Sequence, residues 1–282
     1  MTDRAARRPA PRSAADRDAR RVRLPAGVLV PAAIGAATLL LPLAALLLRV
    51  DWRAVPETLS APGTLSALGL SLGTATMATM LCFALGVPLA LVIARTEGAV
   101  AAALRACVTL PLVLPPLVGG LALLSLLGRG GLLGDWLFGL GIRIPFTTAA
   151  VVIAQTFVAL PFLVIAVEGA LRGQGSAYER VAESLGARPW TVLRRVTLPL
   201  LAPSLTAGGI LCFTRALGEF GATALFAGNA PGTTRTMPLA IYTAFNGAGV
   251  TQDAALTLSL LLVLVAIVAL VCMRSRGSGA AL

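Results

Sequence analysis

Charged side chains are absent from six long stretches of this 282-residue chain, at 24–48, 58–94, 106–128, 144–167, 196–214 and 254–273. Each is 19 residues or longer, enough to cross a hydrocarbon layer of about 30 Å as a helix rising about 1.5 Å per residue. The pattern predicts an all-α, polytopic membrane protein with about six transmembrane helices. The second stretch exceeds what one crossing needs, and a single helix within about 65–94 with a short lead-in accounts for it better than two helices. The segment 220–252 is apolar yet broken by Gly, Asn and Pro. Within it, Pro238 through Phe245 is expected to form a short helix, flat at the outer surface or re-entrant.

One interruption has a different texture. Between the fourth and fifth stretches lies a charged loop at 172–197. Ser176 and Glu179 have the S-x-x-E spacing of a capping box, which starts a helix by satisfying its first backbone N–H groups. Tyr178, Val181, Ala182 and Leu185 follow at i, i+3, i+4 and i+7, giving that helix one apolar face. Gly186 is placed to stop it. Pro189 can open a second helix carrying Arg194 and Arg195, after which Leu198-Pro199 leads into the next apolar run. The loop reads as helix, turn, helix, and its amphipathic helix calls for a partner or rests on the lipid interface, the second being disfavoured because Glu179 and Glu183 outnumber Arg180 on its polar face.

Composition agrees with a bilayer: 57% of residues are hydrophobic and 12% charged, with a mean hydropathy of +0.88. All 23 basic residues are arginine. With the N-terminus inside, seventeen of them fall in cytoplasmic segments and five in external ones, leaving Arg215 near a span. This positive-inside bias puts both termini and the 172–197 loop in the cytoplasm, and the expected location is a bacterial plasma membrane. The net charge of +11 is concentrated where topology demands it, so no nucleic-acid partner is expected. Residues 1–23 are rich in Arg, Ala and Pro and are expected to be disordered or to lie on anionic headgroups, with 24–282 a single transmembrane domain. The apolar run after Arg23 is too long for a typical signal-peptide core and lacks a small-x-small pair before a cut after Leu48.

Several functions are excluded by what is missing. There is no histidine, the commonest base and metal ligand near neutral pH. There is no lysine, so a phosphate loop ending in G-K-[ST] cannot exist here and any ATP must be bound by another chain. Cys82, Cys107, Cys212 and Cys272 stand singly in apolar runs and read as buried fillers. No carboxylate pair is arranged for acid–base work, so no catalytic residue, metal or cofactor is expected.

Glu179-Arg180-Val181-Ala182-Glu183-Ser184-Leu185-Gly186, with Val196, Leu198 and Pro199 in register downstream, resembles the EAA loop of permease subunits in binding-protein-dependent ABC importers. Valine at 181 departs from the alanine often found there, which bears on partner fit. Arg215 through Thr223, Ala227-Gly228-Asn229, Pro231-Gly232, Thr234-Arg235-Thr236 and Pro238 through Tyr242 are similar to the molybdate branch, as are Thr109 through Pro116 and Gly119-Gly120. The resemblance covers about residues 60 to 273. It implies a type I ABC-importer-like permease domain, two copies of this chain, two cytoplasmic ATPase subunits, an external oxyanion-binding protein, and transport by alternating access. It assigns ATPase coupling to Tyr178, Glu179, Val181, Ala182, Leu185 and Gly186. Sulfate, thiosulfate or tungstate is the nearest alternative cargo. A stand-alone secondary transporter is disfavoured by the few ionisable residues within spans.

A second set of candidates lines a pathway or gate. Arg215 and Glu219 are four residues apart, and either charge alone within hydrocarbon costs about 2.5–3.5 kcal/mol on insertion scales. They face a transport axis, with Gly218 and Gly221 allowing close helix approach, or they form a structural ion pair near the outer interface. Pro111, Pro115 and Pro116 interrupt the third span, either as a gating element or as tolerated kinks.

Overall fold

A computed structural model describes residues 26–247 and 252–278 of the chain. The tail at 1–23 lies outside the described residues, and so does the side chain of Cys272. Every charge-free stretch contains helix. The first is α1, Ala26–Arg49, apolar along its length with Pro31 and Pro42 inside it. It falls in a compact unit of its own, and the chain from Val50 onward forms a second.

In that second unit a short lead-in, α2 (Val55–Ser60), precedes α3 (Pro62–Arg95). The long second stretch is thus one helix of 34 residues, not two. The third stretch is divided between α4 (Gly98–Val113) and α5 (Pro116–Leu127), and the chain bends by 116° from one to the other. This is sharper than a right angle, so α5 runs back against α4 instead of prolonging it. The cause is local. Leu114 and Pro115 each precede a proline and are driven out of the α region, with ψ of 134° and 136°. Pro116 then opens α5 at a position where its missing N–H costs nothing. Pro111, by contrast, stays inside α4, so only two of the three expected prolines break the span.

The small helix α6 (Gly134–Gly139) leads to α7 (Thr148–Gln174), whose first turn is capped by the Thr147 hydroxyl accepting from Ala150 N at 3.3 Å. Next come α8 (Ala177–Ser184), α9 (Pro189–Val192), a π-helical turn at Leu193–Thr197 and α10 (Leu198–Leu217). The expected second helix of the loop is therefore not a separate element: α9, the π turn and α10 run on as one helix from Pro189 to Leu217. Pro199 explains the widening. Its ring would strike the carbonyl of Arg195 in a regular α-helix, and one turn of longer bonds, with Leu198 N reaching Leu193 O, relieves the clash. The chain ends in α11 (Gly221–Phe226), α12 (Met237–Phe245) and α13 (Gln252–Ser278). The short helix anticipated at 238–245 is α12.

The core sits where α3, α7 and α10 cross, around Ala75, Ala78, Cys82, Leu163, Val164, Val167, Leu201 and Cys212. Lipid tails are as apolar as leucine, so spans gain little from hydrophobic transfer and must associate by close contact. Small residues allow it. A Cβ on Gly208 would lie 2.8 Å from Leu163 Cδ1, and one on Gly209 would lie 2.7 Å from Phe83 Cζ. Hydroxyls within these spans bond to their own helix, as with Thr74 to Leu70 O at 2.8 Å and Thr156 to Val152 O at 2.7 Å. Of the four cysteines, Cys82 and Cys212 are buried as expected, whereas Cys107 on α4 is exposed.

Candidate functional site

At one end of the second unit, α8 stands on the loop as the periodicity anticipates, but its first turn is built differently. The capping box does not form: no side chain caps the first N–H groups of α8. Ser176 Oγ accepts instead from Arg180 Nη1 at 2.5 Å, and Glu179 turns away from the helix start. Its Oε1 accepts from Arg95 Nη2 at 3.1 Å and from the Thr197 hydroxyl at 2.5 Å. A carboxylate with a guanidinium in reach gains more there than from capping one backbone N–H.

The far end of α8 follows expectation closely. Ala187 N donates to Ala182 O at 3.1 Å and Gly186 N donates to Glu183 O at 2.9 Å. Gly186 has φ of 82°. These are the two bonds and the left-handed residue of a Schellman motif, which only glycine enters without strain. The apolar face is left uncovered: Leu185 is 83% exposed, Tyr178 65% and Val181 60%. Trp190, just past the turn, is 66% exposed. Ala182 is half-buried, and Glu179 faces the spans. So Tyr178, Val181, Leu185 and the Gly186 turn form an outward surface, while Glu179 belongs to its inner side.

At the other end of α10 the second set of candidates gathers around a junction. The helix stops at Leu217, so Arg215 and Glu219 do not share one helix face as their spacing suggests, yet the pair forms, with Nη2 to Oε2 at 2.7 Å. Glu219 is 1% exposed. Its second oxygen accepts from Ala222 N at 2.8 Å, so one carboxylate closes the end of α10 and the start of α11 together. Gly221 is packed against the broken third span: a Cβ there would lie 2.6 Å from Pro116 Cβ. From the α5 side, a Cβ on Gly120 would lie 2.8 Å from Ala222 O. Gly218 does no such service, since a Cβ there would meet nothing closer than Thr214 O at 3.5 Å. Arg215, Glu219, Gly221 and Pro116 are thus brought into one contact chain; Pro115 adjoins it, and Gly218 forms the turn without packing.

Two further polar groups, Glu168 and Gln155, are set among the spans. Glu168, on α7, pairs with Arg105 at 2.6 Å and Arg172 at 2.9 Å, fastening the start of the third span to the fourth. A lone carboxylate directly ending an apolar stretch, with arginine four residues on, was the available signal. Gln155 is fully enclosed within α7, a polar amide among apolar spans. Its position inside a charge-free stretch made it inconspicuous.

Residues 86–275 match the family described as "Binding-protein-dependent transport system inner membrane component". The chain is 54% identical over 244 residues to the "Molybdenum transport system permease protein ModB" of Mycobacterium tuberculosis, covering 86% of this chain and 91% of that protein. It is 39% identical over 187 residues to the protein of the same name from Escherichia coli K12, covering 66% and 82%. It is 36% identical over 207 residues to the "Sulfate transport system permease protein CysT" of Escherichia coli K12, covering 72% and 75%. Among solved structures, a chain of a bacterial ABC transporter "involved in the import of the acidic polysaccharide alginate" superposes with a TM-score of 0.71 at 18% identity, over 91% of this chain and 95% of that one. A chain of the inward-facing "MetNI methionine ABC transporter" gives 0.59 at 18% identity, over 77% and 96%. The fold is that of these permeases, and several apolar helices make the protein a multi-pass one. The chain belongs to the family of inner-membrane components of binding-protein-dependent transport systems.

Proposed function

We propose that this chain is the membrane-spanning subunit of an ATP-driven importer of molybdate. The observation that carries the cargo is the 54% identity to the Mycobacterium tuberculosis molybdenum permease over almost its whole length. Two copies of this chain form the path across the plasma membrane, two ATPase subunits dock inside, and an external oxyanion-binding protein delivers the dianion. Both termini lie in the cytoplasm, following the distribution of arginine. The chain performs no covalent chemistry; it alternates access while ATP is hydrolysed on its partner.

Coupling runs through α8. Tyr178, Val181 and Leu185 enter an apolar groove on the ATPase, with Ala182 backing them and Gly186 setting the exit of the chain. Their exposure supports this, because Tyr178, Val181 and Leu185 lie on one face of a helix outside the spans and form an apolar surface that a partner can cover. At the opposite end, Arg215, Glu219, Gly218, Gly221, Pro115 and Pro116 form the outer gate, where the α4–α5 break meets α11. Arg215, 29% exposed at its side chain, is the group that greets the anion, and Glu219 holds it.

Sulfate is the second reading, favoured by the 36% identity to the Escherichia coli sulfate permease. Uptake into vesicles holding this chain, its ATPase and its binding protein separates the two. Molybdate is expected to be taken up and sulfate, at the same concentration, at least tenfold more slowly. Equal rates overturn the assignment of cargo.

A further inference from the structure

Among the described residues, side-chain hydrogen bonds tie the loop helix to the spans at one atom, Glu179 Oε1. Arg180 and Ser184 bond only within the loop, to Ser176 and to Val181 O. The two donors reaching Glu179 come from far apart in the chain. Arg95 is the last residue of α3, and Thr197 closes the π turn beneath α10. Thr197 is buried even though it lies in the loop, whereas the Arg95 side chain is 58% exposed and that of Glu179 20%.

We propose that Glu179 is a positioning residue that fastens the docking helix to the second and fifth spans at once, with Arg95 and Thr197 as its two anchors. The inference rests on the reading that α8 docks an ATPase. It adds which spans receive the movement and through which groups. Three facts carry it. A single oxygen joins three segments, so any shift of α8 that keeps these two bonds carries both helix ends with it. An ion pair this exposed contributes little to stability, so folding alone gives little reason for it. The remaining side chains of α8 that face outward make no side-chain bond to the spans among the described residues, and they leave the carboxylate as the point of purchase. Arg95 is also suited to its place by the negative end of the α3 dipole, which holds the guanidinium near the helix terminus.

The test uses the complete importer reconstituted in vesicles. Arg95→Gln and Thr197→Val are expected to leave co-purification of the ATPase unchanged while uptake per ATP hydrolysed falls at least fivefold, and Glu179→Gln is expected to lower that ratio as far. Exchanging the charges, with Arg95→Glu and Glu179→Arg together, restores the ion pair, and the Thr197 hydroxyl accepts from an arginine as readily as it donates to a carboxylate. The double variant should regain at least half of the lost ratio. An unchanged ratio in Arg95→Gln and Thr197→Val, or no recovery in the exchange, overturns the proposal. So does loss of the ATPase from Glu179→Gln alone, which makes the carboxylate a contact for the partner. The underlying docking reading has a separate control. If Leu185→Glu retains the ATPase in full, α8 is not the docking helix, whatever the Arg95 and Thr197 variants do.

Discussion

Two glutamates forty residues apart stand at opposite ends of α10 and live in different worlds. Glu219 is enclosed, and both of its oxygens are used, one by Arg215 and one by the backbone of α11. Glu179 sits at the edge of water, and the helix that carries it shows its apolar side chains to solvent. The junction at 215–226 is complete as it stands; the loop at 176–197 is not. A region that satisfies its own charges and packs backbone on backbone is built to hold a geometry. A region that leaves Leu185 bare is suited to receive one, as the proposed docking of α8 requires. Damage should therefore appear as lost stability at the junction and as lost association at the loop.

The largest effect is expected at Glu219. Replacing it with alanine leaves Arg215 without its partner and Ala222 N without its acceptor, a cost of about 3–5 kcal/mol for a broken buried pair. Thermal unfolding of the purified subunit in detergent should show it; an unchanged transition would mean the junction is looser than its contacts suggest. Next comes Gly221→Ala, whose Cβ must displace Pro116, at a cost of about 1–3 kcal/mol. Gly186→Val is smaller, about 1–2 kcal/mol for a branched residue at φ of 82°, and acts locally on the exit of α8. Limited proteolysis near Ala187 is the sensitive readout there.

The contrast is sharpest at Leu185→Asp. With the side chain 83% exposed, stability should move by no more than about 0.5 kcal/mol, yet recovery of the ATPase with the subunit should fall at least tenfold. A stability loss comparable to Glu219→Ala would erase the distinction between the two regions. Gly218→Ala closes the series, with a change within about 0.5 kcal/mol despite lying beside the most sensitive residue, because its Cβ makes only an ordinary contact with Thr214 O at 3.5 Å.

Local chemistry made much of this legible in advance. The i, i+3, i+4, i+7 spacing of Tyr178, Val181, Ala182 and Leu185 is a property of one helix, and the stop at Gly186 needs only its neighbours. The start of α8 departs from the capping box because Arg95, more than eighty positions earlier, competes for the Glu179 carboxylate. Pro115-Pro116 announced a break, but its angle depends on which backbone the freed segment meets, and that partner is Gly221. Arg215 and Glu219 were paired by their spacing although the helix ends between them. What spacing could not supply was the second acceptor role of Glu219 toward Ala222, since it requires a helix restarting two residues later.

The merging of the π turn with α10 has one more consequence. From Pro189 to Leu217 the chain is a single bar of 29 residues, with its foot in the loop and its head at the junction. Arg215 stands about 39 Å from that foot. A tilt of the bar by about 5° about its foot carries Arg215 sideways by about 3 Å, a distance comparable to the whole length of its bond to Glu219. Glu219 N donates to Ala216 O at 3.1 Å, so Arg215 and Glu219 ride together on the head of the bar, and a small rocking at its foot is magnified where the junction meets α5.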